Sequence, residues 1–294
     1  MDDTSGWGKV GLGVLSAAAT DAPRDAGVYL FLDDHRDVLY VGKARNLRQR
    51  LHQHAATKRQ ESRLHQKYDL VRRVVWEIAA DEEAAFWREA DLIFALRPPF
   101  NTNPGLRGHD PVGKDPQAPY IVVVEDATGT LHFTLEPVVP VTGSAYGCFP
   151  HLGKGVASDL GIACSDGYTA LLRLMWAASG QGAGMPTAVT RSAPASFAVA
   201  APADIREGLR RFLSGTRPRL AEDLLSAAAH RPEFMQPALR RDRASALRFF
   251  AAGPRLVHAR RLRHRRRARA LDAETYRSLV RDEISPVINE SYDR

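Results

Sequence analysis

The chain has 294 residues, 44% hydrophobic and 26% charged, ordinary globular usage that excludes a wholly disordered, collagen-like or coiled-coil protein. No stretch reaches the ~18 consecutive apolar residues a bilayer crossing needs. Two cysteines, Cys148 and Cys164, are too few for a disulfide framework or a four-cysteine cluster. Net charge is +7, and residues 255–269 hold eight arginines and no acid, so the remainder is close to neutral. A cluster that dense attracts a polyanion, first of all a phosphate backbone. The plainer reading is a solvated basic helix face, or a segment paired with acids of its own chain.

In chain order, residues 11–20 are mildly apolar and end in small residues. Asp2 and Asp3 precede them, the wrong charge for a secretory leader, so a reducing, cytoplasmic setting is expected. Gly27–Leu32 reads as a strand, 33–37 as a polar turn and 38–41 as the returning strand of a hairpin. Asn46 is placed to cap a helix carrying Leu47 and Leu51. Residues 71–78 suggest a third strand, and Asp81 a second cap, for a helix with Ala85, Leu92, Ile93 and Leu96 on one side that Pro98 and Pro99 end. A Gly- and Pro-rich stretch follows to Pro119. A second hairpin is expected across residues 127–129, then helices over 169–178, 203–213 and 220–229, with 179–202 as a flexible link.

The hairpin, its helix and the later helix carry the chemistry. Tyr29 and Tyr40 lie on adjacent strands, Lys43 and Arg50 follow the second strand, Glu89 is on the later helix and Asn101 just past it. On one concave face these would suit phosphodiester hydrolysis. Cations stabilise charge on the phosphoryl oxygens, a carboxylate holds a hard divalent cation, and a phenol moves a proton once cations or a metal lower its pKa from about 10. The alternative is that the tyrosines pack and the glutamate is solvated.

Gly27-Val28-Tyr29 and, ten residues on, Tyr40-Val41-Gly42-Lys43-Ala44-Arg45-Asn46-Leu47-Arg48-Gln49-Arg50 resemble the signature of the GIY-YIG nucleases, in the form found in the excision-repair nuclease UvrC and its single-nuclease relative Cho. Glu89-Ala90-Asp91-Leu92-Ile93, with Arg97-Pro98-Pro99-Phe100-Asn101, resembles the helix and terminating asparagine of that group. The resemblance implies Tyr40 as general base, Tyr29 as its partner, and Lys43 and Arg50 at the scissile phosphate. It implies Glu89 as the metal carboxylate, for Mg²⁺ or Mn²⁺, Asn101 as a supporting amide, and His54, four residues past Arg50, sharing in proton transfer. An exposed surface histidine is the competing reading of His54.

Beyond Asn101 the resemblance is fainter. Phe212-Leu213-Ser214-Gly215, Ala227-Ala228-Ala229, Phe234 and Arg241-Asp242 resemble the paired helices through which UvrC contacts the helicase UvrB, with Pro232 and Pro237 set to interrupt the second helix.

The fold class expected is α/β (α+β): a small antiparallel three-stranded sheet flanked by helices, then a mixed, mainly helical C-terminal region. The divisions expected are 21–103 for the nuclease domain, 104–202 mixed, and 203–294 helical. DNA contacts are expected at Lys43, Arg45, Arg48, Arg260, Arg261, Arg263, Arg265, Arg266 and Arg267. The function implied is a metal-dependent DNA endonuclease incising near a lesion. A restriction, mobile-element or gene-cluster nuclease on undamaged DNA, or an inert nucleic-acid-binding adaptor, are the alternatives. No membrane role is expected.

Overall fold

The computed structural model describes residues 7–57, 66–101, 120–140, 143–150, 164–182, 184–190, 194, 196–266 and 268–292. The chain forms two compact units, one of residues 1–116 with 277–294, the other of residues 117–276.

The first unit holds α1 (Trp7–Asp21), β1 (Gly27–Leu32), β2 (Val38–Ala44), α2 (Leu47–Ala55), α3 (Gln66–Leu70), β3 (Arg73–Ile78) and α4 (Glu82–Leu96). Its sheet is antiparallel throughout, in the order β2-β1-β3. All six residues of β1 are buried, because the central strand is covered on both faces. Tyr29 and Phe31 point to the side where Leu15, Leu47, Leu51 and Val71 form a core, following the period-two alternation of a strand. Tyr29 stands opposite Gly42, and Phe31 opposite Tyr40, before a bulge shifts the register. Both expected caps are made: Asn46 Oδ1 accepts from Gln49 N at 2.9 Å and Asp81 Oδ1 from Ala84 N at 2.7 Å.

The chain returns to this unit through α10 (Ala273–Tyr292), from Arg277 onward. Arg88 on α4 holds Glu77 with two hydrogen bonds, at 2.7 and 3.0 Å, and Glu283 at 3.1 Å. Tyr292 Oη donates to Asp33 O at 2.5 Å, and its ring lies under both Arg36 and Arg73.

The second unit contains a four-stranded antiparallel sheet, β6-β4-β5-β7, built from β4 (Tyr120–Glu125), β5 (Thr130–Glu136), β6 (Ser144–Tyr146) and β7 (Ser196–Ala200). Its helices are α5 (Cys164–Ser179), α6 (Ala203–Leu213), α7 (Leu220–Ala227), α8 (Gln236–Ala252) and α9 (Pro254–Arg263). Strand β7 falls where a flexible link is expected. Phe197 and Val199 point inward from it, too short an alternation to stand out among Ala, Ser and Pro. Pro237 lies in the first turn of α8, where a missing N–H costs nothing, so it starts this helix instead of interrupting it. Arg231 closes the end of α5 by donating to Trp176 O, Ala177 O, Gln181 O and Gly182 O. Among the described residues no helix is long and apolar enough to cross a membrane.

Candidate active site

The hairpin brings the two phenols together because its antiparallel register sets Gly42 opposite Tyr29 and Tyr40 opposite Phe31, making the two tyrosines diagonal neighbours on one face. The Tyr29 and Tyr40 ring centroids are 6.1 Å apart. Gly42 makes room for this: a Cβ there would lie 2.4 Å from the Tyr29 hydroxyl oxygen and 2.9 Å from the Tyr40 ring. The glycine therefore serves close approach.

Helix α2 supplies the next layer. Arg50 Nε donates to Tyr29 Oη at 3.4 Å. His54, one turn on, is buried, with Nε2 2.7 Å from Tyr29 Oη and Nδ1 2.7 Å from Tyr68 Oη. The surface reading of His54 is thereby corrected: the apolar stripe of Leu47 and Leu51 turns this face of α2 inward. Burial, with Arg50 and Lys67 nearby, lowers its pKa to about 3. The imidazole is neutral at physiological pH, with one donor and one acceptor nitrogen. One of its two phenol partners must then donate to it and the other accept.

Glu89 comes from α4. Its Oε1 accepts from the backbone N of Lys43 at 3.0 Å, and Oε2 lies 4.0 Å from Lys43 Nζ. Its charge helps raise the pKa of both phenols, a smaller effect than their burial, while Arg50 lowers both. Asn101 acts on the backbone. Its Oδ1 accepts from Val41 N at 2.9 Å and its Nδ2 donates to Val41 O at 2.7 Å, so an amide side chain replaces a strand partner on the open edge of β2.

Two side chains escaped the sequence reading. Lys67 and Tyr68 sit on the five-residue α3, and Lys67 Nζ lies 3.8 Å from the centroid of the Tyr40 ring. So short a helix shows no periodicity to find. The close packing of α3 on α1 depends on Gly11, where a Cβ would fall 1.7 Å from Tyr68 O.

The remaining expected contacts divide. Arg45 pairs with Glu82, and Arg48 Nε donates to Ala22 O at 2.8 Å. In the second unit Arg263, Arg265 and Arg266 are exposed and Arg261 is half-buried. Arg260 is buried and donates to Tyr276 Oη at 2.5 Å, which takes it out of any surface patch. Arg267 lies outside the described residues.

Among the described residues no group of three or more His, Cys, Asp or Glu gathers to hold a metal. A single carboxylate still fits a hydrated Mg²⁺, which keeps several waters and binds through one or two carboxylates plus substrate phosphate. Glu89, oriented by the Lys43 backbone and 19% exposed, has that chemistry.

Residues 25–102 match the family model of the UvrC-like GIY-YIG domain. UvrABC system protein C of Rhodopseudomonas palustris is 38% identical over 117 residues, 40% of this chain and 16% of the relative. That of Sphingopyxis alaskensis is 29% identical over 263 residues, 85% of this chain and 38% of the relative. Similarity therefore runs through both units, although the chain spans well under half the length of these relatives. The solved GIY-YIG N-terminal endonuclease domain of UvrC from Thermotoga maritima, bound to magnesium, is 26% identical and covers 30% of this chain and 96% of that domain, with a TM-score of 0.27.

Proposed function

We propose that the chain is a GIY-YIG endonuclease that hydrolyses a DNA phosphodiester next to a lesion, in the manner of an excision-repair nuclease. The observation that carries this is the convergence of two hydrogen-bonded phenols, a neutral histidine, an arginine and one oriented carboxylate on one end of the β1–β2 hairpin.

In this reading Tyr40, as phenolate, takes a proton from the attacking water. The water oxygen bonds to phosphorus and the P–O bond to the leaving sugar oxygen breaks, that oxygen taking a proton from solvent. Arg50 and Lys43 offset the charge gathering on the non-bridging oxygens. Tyr29, pinned by His54 and Arg50, hydrogen-bonds Tyr40 and fixes its hydroxyl. Asn101 keeps the Tyr40–Gly42 edge in place. Glu89 would hold the divalent ion, Mg²⁺ or Mn²⁺, which when bound supplies positive charge at the phosphate and lowers the pKa of nearby water. Both phenols are pushed above their ordinary pKa, so cleavage is expected to rise with pH across the neutral range.

The second unit supports DNA binding through Arg263, Arg265 and Arg266, and a protein partner of UvrB type through Phe234, which is 82% exposed between α7 and α8. A chromosomal substrate implies a cytoplasmic site of action. The test is incubation with lesion-bearing and intact duplexes of the same sequence, with and without Mg²⁺ and a lesion-loaded helicase. Metal-dependent incision of the lesion-bearing duplex in preference to the intact one is expected. Equal cutting of both duplexes would favour a nuclease of undamaged DNA, and no cutting under any condition would favour an inert adaptor.

A further inference from the structure

We propose that Lys67 is a positioning residue for Tyr40, holding its ring and favouring its phenolate; this rests on the nuclease reading above and adds a group to that site. Lys67 is 8% exposed. Its ammonium lies 3.8 Å from the Tyr40 ring centroid and 5.2 Å from that of Tyr68. The groups facing it are Tyr40 from β2, Tyr68 beside it on α3, and Arg50 and His54 from α2. Glu89, from α4, acts electrostatically on Tyr40. Among the described residues no carboxylate pairs with Lys67.

A buried ammonium without a carboxylate is expensive, and burial together with Arg50 brings its pKa down to about 8. An apolar residue of the same length would fill the space at less cost. What the lysine adds is a cation over the face of the tyrosine that the mechanism needs deprotonated. Attraction to the ring fixes the side-chain orientation, and the same charge favours the phenolate over the phenol. Lys67 thus opposes burial and Glu89, which both disfavour that phenolate.

The test compares Lys67→Met, which keeps the length, with Lys67→Arg, which keeps the charge. Lys67→Met is expected to hold or raise the melting temperature and leave DNA affinity unchanged. It should lower the single-turnover cleavage rate about tenfold at neutral pH, with the gap to wild type closing above about pH 8, where Lys67 gives up its proton. Lys67→Arg should restore most of the rate. A readout independent of cleavage is the carbon-13 Cζ resonance of Tyr40 at neutral pH, where Lys67 still carries its charge, assigned with Tyr40→Phe; it should shift in Lys67→Met and stay near its wild-type position in Lys67→Arg. A Tyr40 resonance that Lys67→Met leaves unchanged at neutral pH, or a rate gap to wild type that persists undiminished well above about pH 8, overturns the proposal. So does a weaker, less salt-dependent DNA affinity at unchanged rate, which would make Lys67 a backbone-phosphate contact. If the wild-type protein cuts nothing, the nuclease reading fails, while the resonance still decides what Lys67 does to Tyr40.

Discussion

His54 is a titratable side chain that the fold takes out of water. With its pKa near 3 in the fold and near 6.5 when unfolded, the unfolded chain binds the extra proton between those values. Stability must then rise with pH from about 3 to about 6.5 and fall on acidification, by up to a few kcal/mol. Urea midpoints measured between neutral pH and pH 4.5 should show a steeper loss for wild type than for His54→Gln. Equal slopes would show that His54 is not held neutral in the fold. The resemblance to the GIY-YIG signature points to Tyr29, Tyr40, Lys43, Arg50, Glu89 and Asn101, because its two motif stretches fall on these positions. It says nothing of how Asn101 works, since an amide mimicking a strand partner is visible only once β2 is known to be an edge. Lys67 and Tyr68 lie on a single turn of helix, and only three-dimensional packing reveals them.

At the scale of elements, the hairpin and the caps at Asn46 and Asp81 follow from local signals and are found where expected. The return of the chain through α10 does not, because nothing local to residues 277–292 names α4 and the 33–37 turn as its neighbours. Leu279, Val280, Ile284 and Ile288 are buried. Arg281 Nε donates to Ala95 O at 3.1 Å, and Arg36 Nη1 to Asn289 Oδ1 at 3.1 Å. A chain ending at residue 276 would expose that surface and leave Arg88 without Glu283. It should be destabilised by at least about 3 kcal/mol, read as a lower melting temperature and weaker hydrogen-exchange protection in α4. Unaltered melting would show that the first unit is complete without α10.

For the whole molecule, charge is the organising quantity. The arginine-rich segment is divided by its helix, with Arg260 inward against Tyr276 and Arg255, Arg263, Arg265 and Arg266 exposed. That division follows from the inward stripe of Pro254, Val257 and Arg260 on α9. If those four exposed cations contact phosphates, replacing them with glutamine should weaken duplex binding for every sequence alike. It should also reduce the slope of log affinity against log salt by about 3–4. An unchanged slope would assign these arginines to the solvated surface. Beyond the nuclease signature, the sequence carries the β4–β5 hairpin of the second unit, which forms where expected, but not the flanking β6 and β7, because they are short and their pairing is long-range.

The most direct test is single-turnover cleavage of an end-labelled, lesion-bearing duplex in Mg²⁺ by wild type, Tyr40→Phe and Glu89→Gln. The amide of Glu89→Gln can still accept from Lys43 N, so both variants should fold and bind DNA. The prediction is a rate reduced at least a hundredfold in each. Either variant cutting at the wild-type rate would show that these phenols and this carboxylate are not where the phosphodiester is hydrolysed.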